Sequence, residues 1–410
     1  MADVVVVGGG AAGLVAAWRA ASLGHTVALL EANGRPGAKL RISGGGKCNL
    51  THDGTPQALL GAFPRDQARF LRHALHAFGP RAIRELLHGE GVETYVRDNG
   101  RVFPLDRPGS AVAVVESLEA LVRRAGVEVR TSARVTGIVG EAPRVLALRL
   151  DGAPLPVGSL ILATGGASYP ETGTRGEVLE WLRDLGVPVR PWFPALAPIP
   201  LEHPRPAWEG VALRSGVLRL TAGRGGRRLA AFAGDLLFTR TGLSGPAALE
   251  LSQAVEGARR NGAAWLEYAS EDALPEAVDA RLLAEARTAP RLMAATWLAR
   301  YLPERMVDPL LAEAGIAPGT RLMALARDAR KGLVALVTAL PLGAPRSVPL
   351  ARGEVAAGGV ALEAVDPRTM AVKGWENLRV CGELLDLDGP VGGYNLQAAF
   401  STGYVAGSLA

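Results

Sequence analysis

Val4-Val5-Val6-Val7-Gly8-Gly9-Gly10-Ala11-Ala12-Gly13-Leu14-Val15-Ala16-Ala17 is the stretch that decides the fold. Four successive β-branched residues read as a short strand buried on both faces. The Ala-rich run from Ala11 to Leu23 reads as the helix that follows it. Between them Gly8, Gly10 and Gly13, with Ala12 in the same turn, have the spacing of a dinucleotide-binding turn, which lets backbone approach a pyrophosphate and lets helix and strand pack closely. A second strand, residues 26–30, ends in Glu31, 18 residues past Gly13. That is close to the spacing at which a carboxylate reaches the ribose hydroxyls of a bound nucleotide. Strand, helix, strand and acid in this order predict a nucleotide site at the helix N-terminus, whose amides and partial positive charge hold phosphate.

The signature is split. Far along the chain, Gly382-Glu383 follows the apolar segment 378–381, and Gly392-Gly393-Tyr394-Asn395-Leu396 opens a further helix. A cofactor held only by its pyrophosphate has no need of that second cluster. FAD does, because its ribityl chain and isoalloxazine ring must be gripped by chain remote from the pyrophosphate turn. Between the two halves, Gly34 to Lys39 and Ser43-Gly44-Gly45-Gly46-Lys47-Cys48-Asn49 read as loop rather than strand or helix. Successive glycines let backbone approach a planar ligand, and Lys39 and Lys47 bring positive charge to it. An apolar strand, 160–163, running into Thr164-Gly165-Gly166 suits chain that returns beside the cofactor.

The chain has 410 residues, 48% hydrophobic and 21% charged, which excludes a disordered class and predicts two or three domains. It enters an apolar strand directly after Met-Ala-Asp and contains no apolar run long enough to span a bilayer, so a cytoplasmic protein is expected. Cys48 and Cys381 are the only cysteines, which leaves no disulfide framework, no Cys-x-x-Cys pair and no expected metal. Helices are expected over 67–78, 80–89 and 109–125, and a hairpin around Asn99-Gly100. Seven prolines from Pro188 to Pro206 read as a linker. After it come two alternating strands about the Gly223–Gly226 turn, then helical periodicity from 274 to 337 broken at Pro290, Pro303 and Pro318-Gly319. The expected architecture is α/β: a two-part Rossmann-like FAD-binding domain, 1–192 and 353–410, with an inserted β-barrel and helical domain at 193–352. The net charge is +5, and the whole surplus lies in the insert: residues 193–352 hold 20 Lys and Arg against 15 Asp and Glu, the remainder 25 of each. Arg224, Arg227, Arg228, Arg259, Arg260 and the segment Arg327 to Lys331 are candidates to meet phosphates; the competing reading is an Arg-rich chain that places arginine on every solvated face.

Five motifs are far more specific than a glycine fingerprint: Ser43-Gly-Gly-Gly-Lys-Cys-Asn49, Gly100-Arg-Val-Phe-Pro104, Ala163-Thr-Gly-Gly166, Thr239-Arg-Thr-Gly-Leu-Ser-Gly-Pro246, and Cys381-Gly-Glu-Leu-Leu-Asp-Leu-Asp-Gly389 running into Gly392-Gly-Tyr-Asn-Leu-Gln397. With them the chain resembles the bacterial BaiN-like, or aminoacetone-oxidase-type, FAD-binding flavoproteins over nearly its full length. The resemblance implies that Glu31 meets the adenosine ribose, that Val135 meets adenine through its backbone, that Ser43–Asn49 lines the flavin, that Glu383 takes the ribityl hydroxyls, and that Gly393, Asn395 and Leu396 face the flavin N1/O2 edge. A helix N-terminus there suits a reduced flavin, which is anionic at N1. Thr174-Arg175-Gly176-Glu177 departs from the family pattern.

Members of this family are linked to reduction of an activated double bond in bile-acid intermediates, to oxidation of aminoacetone and to dihydrouridine formation in large-subunit ribosomal RNA. In the two reductions a hydride goes from flavin N5 to the carbon β to a carbonyl, and an acid protonates its neighbour. Cys48 is the first candidate for that acid, or else fills space against the flavin. Tyr394 is the second candidate, or else packs; His52 tunes or replaces Cys48, or else is structural. No second dinucleotide fingerprint is present, so NAD(P)H as a transient reductant is a family-level expectation. The favoured substrate is a ribosomal RNA uridine, bound with help from the basic insert. The alternatives are a small-molecule flavoenzyme and a non-enzymatic ribosome-binding factor.

Overall fold

Val4–Val7 is the central strand of a five-stranded parallel sheet ordered Leu378–Val380, Ser159–Leu162, Val4–Val7, Val27–Leu30, Glu128–Arg130. All four valines are buried, as a strand covered on both faces requires. The structure is a computed structural model that describes residues 2–105, 109–262 and 264–409. Its chain divides into two units, Met1–Phe193 with Leu350–Ala410, and Pro194–Pro349.

In the first unit the helix Ala11–Ser22 lies against the helix Tyr394–Ser408. A Cβ on Gly403 would stand 2.3 Å from the Ala12 carbonyl oxygen, and one on Gly407 2.3 Å from that of Ala16. Two glycines four residues apart therefore let the two backbones touch. Helices at Arg65–Ala77, Pro80–Gly89 and Ser110–Arg124 and the hairpin Thr94–Val96 with Arg101–Pro104 form where the periodicity and Asn99-Gly100 place them. Thr51–His52 adds a third strand to that hairpin, with Thr51 opposite Val102 and His52 opposite Arg101.

Two segments differ from expectation. Ala38–Ile42 is a short helix and Ser43–Gly46 a 3₁₀ turn, where loop was expected; Leu40, on the apolar side, is buried and holds the helix down. Of the supposed linker, Val189–Ala195 is a strand paired with Val355–Val360. Pro191 and Pro194 are tolerated because a two-stranded sheet has only edge strands.

The second unit is an antiparallel sheet ordered Ile199–Pro200, Gly242–Ser244, Arg228–Thr239, Ala212–Thr221, Trp265–Ala269, Leu340–Gly343. Chain just beyond its first and last strands joins through the Leu201 to Pro345 bridge, with Glu202 N–H donating to the Ala344 carbonyl at 2.9 Å, so the sheet closes as a barrel. Helices Pro275–Thr288, Ala294–Leu298, Glu304–Glu313 and Arg327–Thr338 follow, separated by the expected prolines, and Trp297, Tyr268 and Phe238 fill the core. No helix among the described residues is long and apolar enough to cross a membrane.

Candidate active site

The turn after Val7 is built for close approach. Gly8 has φ +103°, and a Cβ there would stand 2.5 Å from the Ala163 carbonyl oxygen; a Cβ on Gly13 would stand 1.8 Å from the Gly8 carbonyl oxygen. Gly10 caps the helix with no side chain, and space around it is open. The helix amides thus face outward without a protein acceptor from the cap. Glu31 is 7% exposed and its carboxylate accepts from Gly9 N–H at 2.7 Å and from the Asn33 backbone and side-chain nitrogens, each at 2.8 Å. Val135 opens the strand Val135–Glu141, two residues beyond Ala133, whose N–H donates to the Glu31 carbonyl at 2.9 Å. Glu31 and Val135 therefore stand together at one end of the sheet.

The two halves of the split signature meet. Lys39 Nζ donates to both carboxylate oxygens of Glu383, at 2.9 and 2.7 Å, and to Ser168 Oγ at 2.6 Å. Glu383 Oε1 also accepts from Ala356 N–H at 2.9 Å. A Cβ on Gly166 would stand 2.8 Å from that same oxygen. Gly382, at φ +72°, leaves just enough room beside Ala12, where a Cβ would stand 2.8 Å from the alanine methyl. Residues from 12, 39, 166, 168, 356 and 383 thus share one small volume.

The Ser43–Asn49 loop runs through left-handed conformations at Gly44, Gly45 and Gly46, with φ from +57° to +82°, and again at Cys48. Gly44, Gly45 and Lys47 are exposed, whereas the Cys48 side chain is fully buried in the core. Burial pushes its thiol up to about 12, against a weaker opposing hydrogen bond with Ser43. Cys381 is buried and raised in the same way. His52 and Tyr394 stack with centroids 4.8 Å apart, and the edge of Phe63 meets Tyr394. His52 is held by Gly392, whose carbonyl lies 3.2 Å from Nδ1, and by Gly100, where a Cβ would stand 2.4 Å from Nε2. Gly393 caps the helix Tyr394–Ser408 at φ +94°, with no side chain over the amides. The Asn395 side chain clasps Gly389, accepting from its N–H at 2.7 Å and donating to its carbonyl at 2.8 Å, so only its backbone is turned to the helix end. Leu396 packs on the core beside it. At the departure from the family pattern, Thr174 Oγ1 donates back to the Gly166 carbonyl at 2.9 Å, which fastens that segment to the Thr164-Gly165-Gly166 loop.

The residues fit FAD. Thr164 Oγ1 and Asn49 Oδ1, one in each glycine-rich loop, are buried with no hydrogen-bond partner, a costly state for a polar atom unless a ligand completes it. Two uncapped helix N-termini and an acid beside each glycine turn match the two ends of the cofactor. Sequence reading missed Asn33, Ser168 and the Ala356 amide. Asn33 and Ser168 stand two residues past Glu31 and Gly166, where their small polar side chains were the available signal.

A model of the HI0933-like protein Rossmann domain matches residues 2–409. The chain belongs to this family. It is accordingly a flavoprotein that uses FAD, and an oxidoreductase. Among its HI0933-like relatives, a ribosomal RNA dihydrouridine synthase of Escherichia coli (strain K12) is 29% identical over 98% of this chain and 96% of its own. A 3-dehydro-bile acid delta(4,6)-reductase of Clostridium scindens is 30% identical over 100% and 99%. The fold is also that of a 3-ketosteroid delta1-dehydrogenase from Sterolibacterium denitrificans, with a TM-score of 0.53 at 14% identity over 99% of this chain and 98% of that one. No group of three or more His, Cys, Asp or Glu among the described residues is placed to hold a metal.

Proposed function

We propose that this flavoprotein reduces an activated carbon–carbon double bond, that its favoured substrate is a uridine of large-subunit ribosomal RNA, and that it works in the cytoplasm. Two relatives matched over nearly their whole length bear the names of such reductions, one on ribosomal RNA and one on a bile acid. The observation that favours RNA is in the second unit. Arg224, Arg227 and Arg228 crowd the tip of the hairpin between Ala212–Thr221 and Arg228–Thr239, with Arg224 over the Trp265 ring and no acidic partner among the described residues. Arg259 and Arg260 are instead tied to Glu256, and Arg330 to Asp279. A basic tip beside an aromatic ring suits phosphates and an unstacked base.

Bound FAD supplies the hydride, and NAD(P)H is the reductant that recharges it. The chain's own part is to hold the cofactor through Gly8, Gly10, Gly13, Glu31, Lys39 and Glu383 and to deliver a proton. We assign the proton to the Tyr394 hydroxyl, with His52 stacked on the ring to orient it. Cys48 lies inside the core and serves packing in this scheme. A second reading, reduction of a small enone, is favoured by the bile-acid relative. Mass spectrometry of ribosomal RNA from cells with and without the gene separates the two: a two-dalton gain at one uridine, lost with the gene, supports the RNA reading, and identical spectra overturn it.

A further inference from the structure

One short segment of chain, residues 168–173, reaches both acids of the split signature. At its start the buried Ser168 hydroxyl donates to Glu383 Oε1 at 3.3 Å while accepting from Lys39. At its end the Thr172 carbonyl accepts from Asn33 Nδ2 at 2.8 Å, and the same nitrogen donates to Glu31 Oε1 at 2.8 Å. Both hydrogens of the Asn33 amide are therefore committed, one to the acid and one to the segment.

The segment is stiff between these two ends. Pro170–Thr172 is a single 3₁₀ turn in which the Thr172 N–H and hydroxyl both donate to the Tyr169 carbonyl, at 2.8 and 2.7 Å. Tyr169 is left-handed at φ +50°, with its N–H on the Ala351 carbonyl at 3.1 Å. A bulky residue keeps that backbone only where its neighbours hold it there. Gly173, at φ +111°, lies directly against the carboxamide: a Cβ would stand 2.5 Å from Asn33 Nδ2 and 2.7 Å from Oδ1. Asn33 is itself fixed, since its N–H donates to Glu31 Oε1 at 2.8 Å and its carbonyl accepts from Ser132 N–H at 2.8 Å. A displacement at one acid is thus passed to the other rather than absorbed between them.

We propose that Asn33 is a positioning residue for the cofactor, which ties Glu31 to the strap 168–173 and through Ser168 to Glu383, so that FAD is gripped at both ends as one unit. This rests on the reading of Glu31 and Glu383 as the acids that hold FAD. Asn33 fills Glu31 Oε1 twice over, which leaves an accepting position on Oε2, beside the Gly9 N–H, for a ribose hydroxyl. The strap then fixes how far that oxygen stands from the acid at the other end. A site set in advance to the length of its ligand binds it more tightly, because less is lost in ordering the site.

The test is a double-mutant cycle on the full-length apoprotein, read as the Kd for FAD by flavin fluorescence. Asn33→Ala and Ser168→Ala are each expected to weaken FAD by about tenfold, as loss of a hydrogen bond to a charged group does. Asn33 and Ser168 share no hydrogen-bond partner. Independent sites of that kind multiply to about a hundredfold in the double variant. A strap released at one end has little left to lose at the other, so the double variant is expected to stay within about threefold of the single ones. Gly173→Ala reaches the same joint from the opposite side and touches neither acid. It is expected to match Asn33→Ala and to add nothing to it, and thermal unfolding of each apoprotein shows that the variant is folded. Losses that multiply overturn the strap while leaving the two acids in place. Glu31→Gln with wild-type affinity for FAD ends the cofactor reading and the strap with it.

Discussion

Lys39 Nζ stands 2.7 Å from Glu383 Oε2, joining residues 344 positions apart. Each also touches Ser168, so the contact ties the first half of the split signature to the second. Lys39→Met leaves a largely enclosed carboxylate with only Ser168 and the Ala356 amide. We expect FAD to bind at least about tenfold more weakly, from the loss of a charged hydrogen bond of about 1.5–3 kcal/mol. Flavin fluorescence on titrating the apoprotein measures it, and wild-type affinity would remove the bridge from the binding scheme.

Gly407 offers a control that spares the cofactor. Gly407→Ala forces a methyl into the Ala16 carbonyl, so the helices must part. The expected loss is about 1–3 kcal/mol in urea unfolding with an unchanged flavin spectrum.

Stability in acid should follow Glu256. Its side chain is 1% exposed, and the hydrogen bond from Arg259, then those from the Val348 amide and Arg260, hold its carboxyl down to about 2. The folded value is lower than the unfolded one, so the contribution is complete above the ordinary glutamate range and drains away as pH falls toward 2. Glu256→Gln is expected to cost about 2 kcal/mol at neutral pH, with the gap to wild type closing as pH falls. Urea midpoints at neutral pH and near pH 3 provide the comparison, and a gap of constant size would contradict the assignment.

Replacing Arg224, Arg227 and Arg228 together with Gln should weaken RNA binding and flatten the dependence of log affinity on log salt by up to about two or three units. FAD content should not change. If the salt slope stays put, the hairpin tip is not where RNA lands.

Tyr394→Phe keeps the stack on His52 and removes the hydroxyl. Turnover should fall by about 10² to 10⁴, the range for a positioned acid, with flavin reduction by NAD(P)H unaffected. Cys48→Ser should retain turnover and lose stability instead. The reverse outcome would return the proton to the thiol.

Much of this was legible because it is local. The Val4–Val7 strand, Gly8–Gly13 turn, following helix and Glu31 occupy one short segment, and hydrophobic periodicity reports such segments directly. What stayed hidden is long-range. Gly403 and Gly407 look like weak points in a helix until Ala12 and Ala16 are seen against them. Val189–Ala195 reads as a linker because its partner, Val355–Val360, lies far off in sequence and its prolines signal a break. Cys48 belongs to the glycine loop in sequence, but its left-handed backbone turns the side chain inward, and no spacing rule reports that. Arg259 and Arg260 looked like an anion site, and only the position of Glu256 one turn earlier, sealed from water, shows them committed.

The sheet order carries a consequence for biosynthesis. Leu378–Val380 completes the flank of Ser159–Leu162, and Tyr394–Ser408 covers Ala11–Ser22. A nascent chain therefore holds its opening strand and helix with an uncovered apolar face until nearly four hundred residues have left the ribosome. The sheet and its covering helix are thus completed late in synthesis, and an uncovered apolar face of this kind is what makes a partly made chain prone to aggregate.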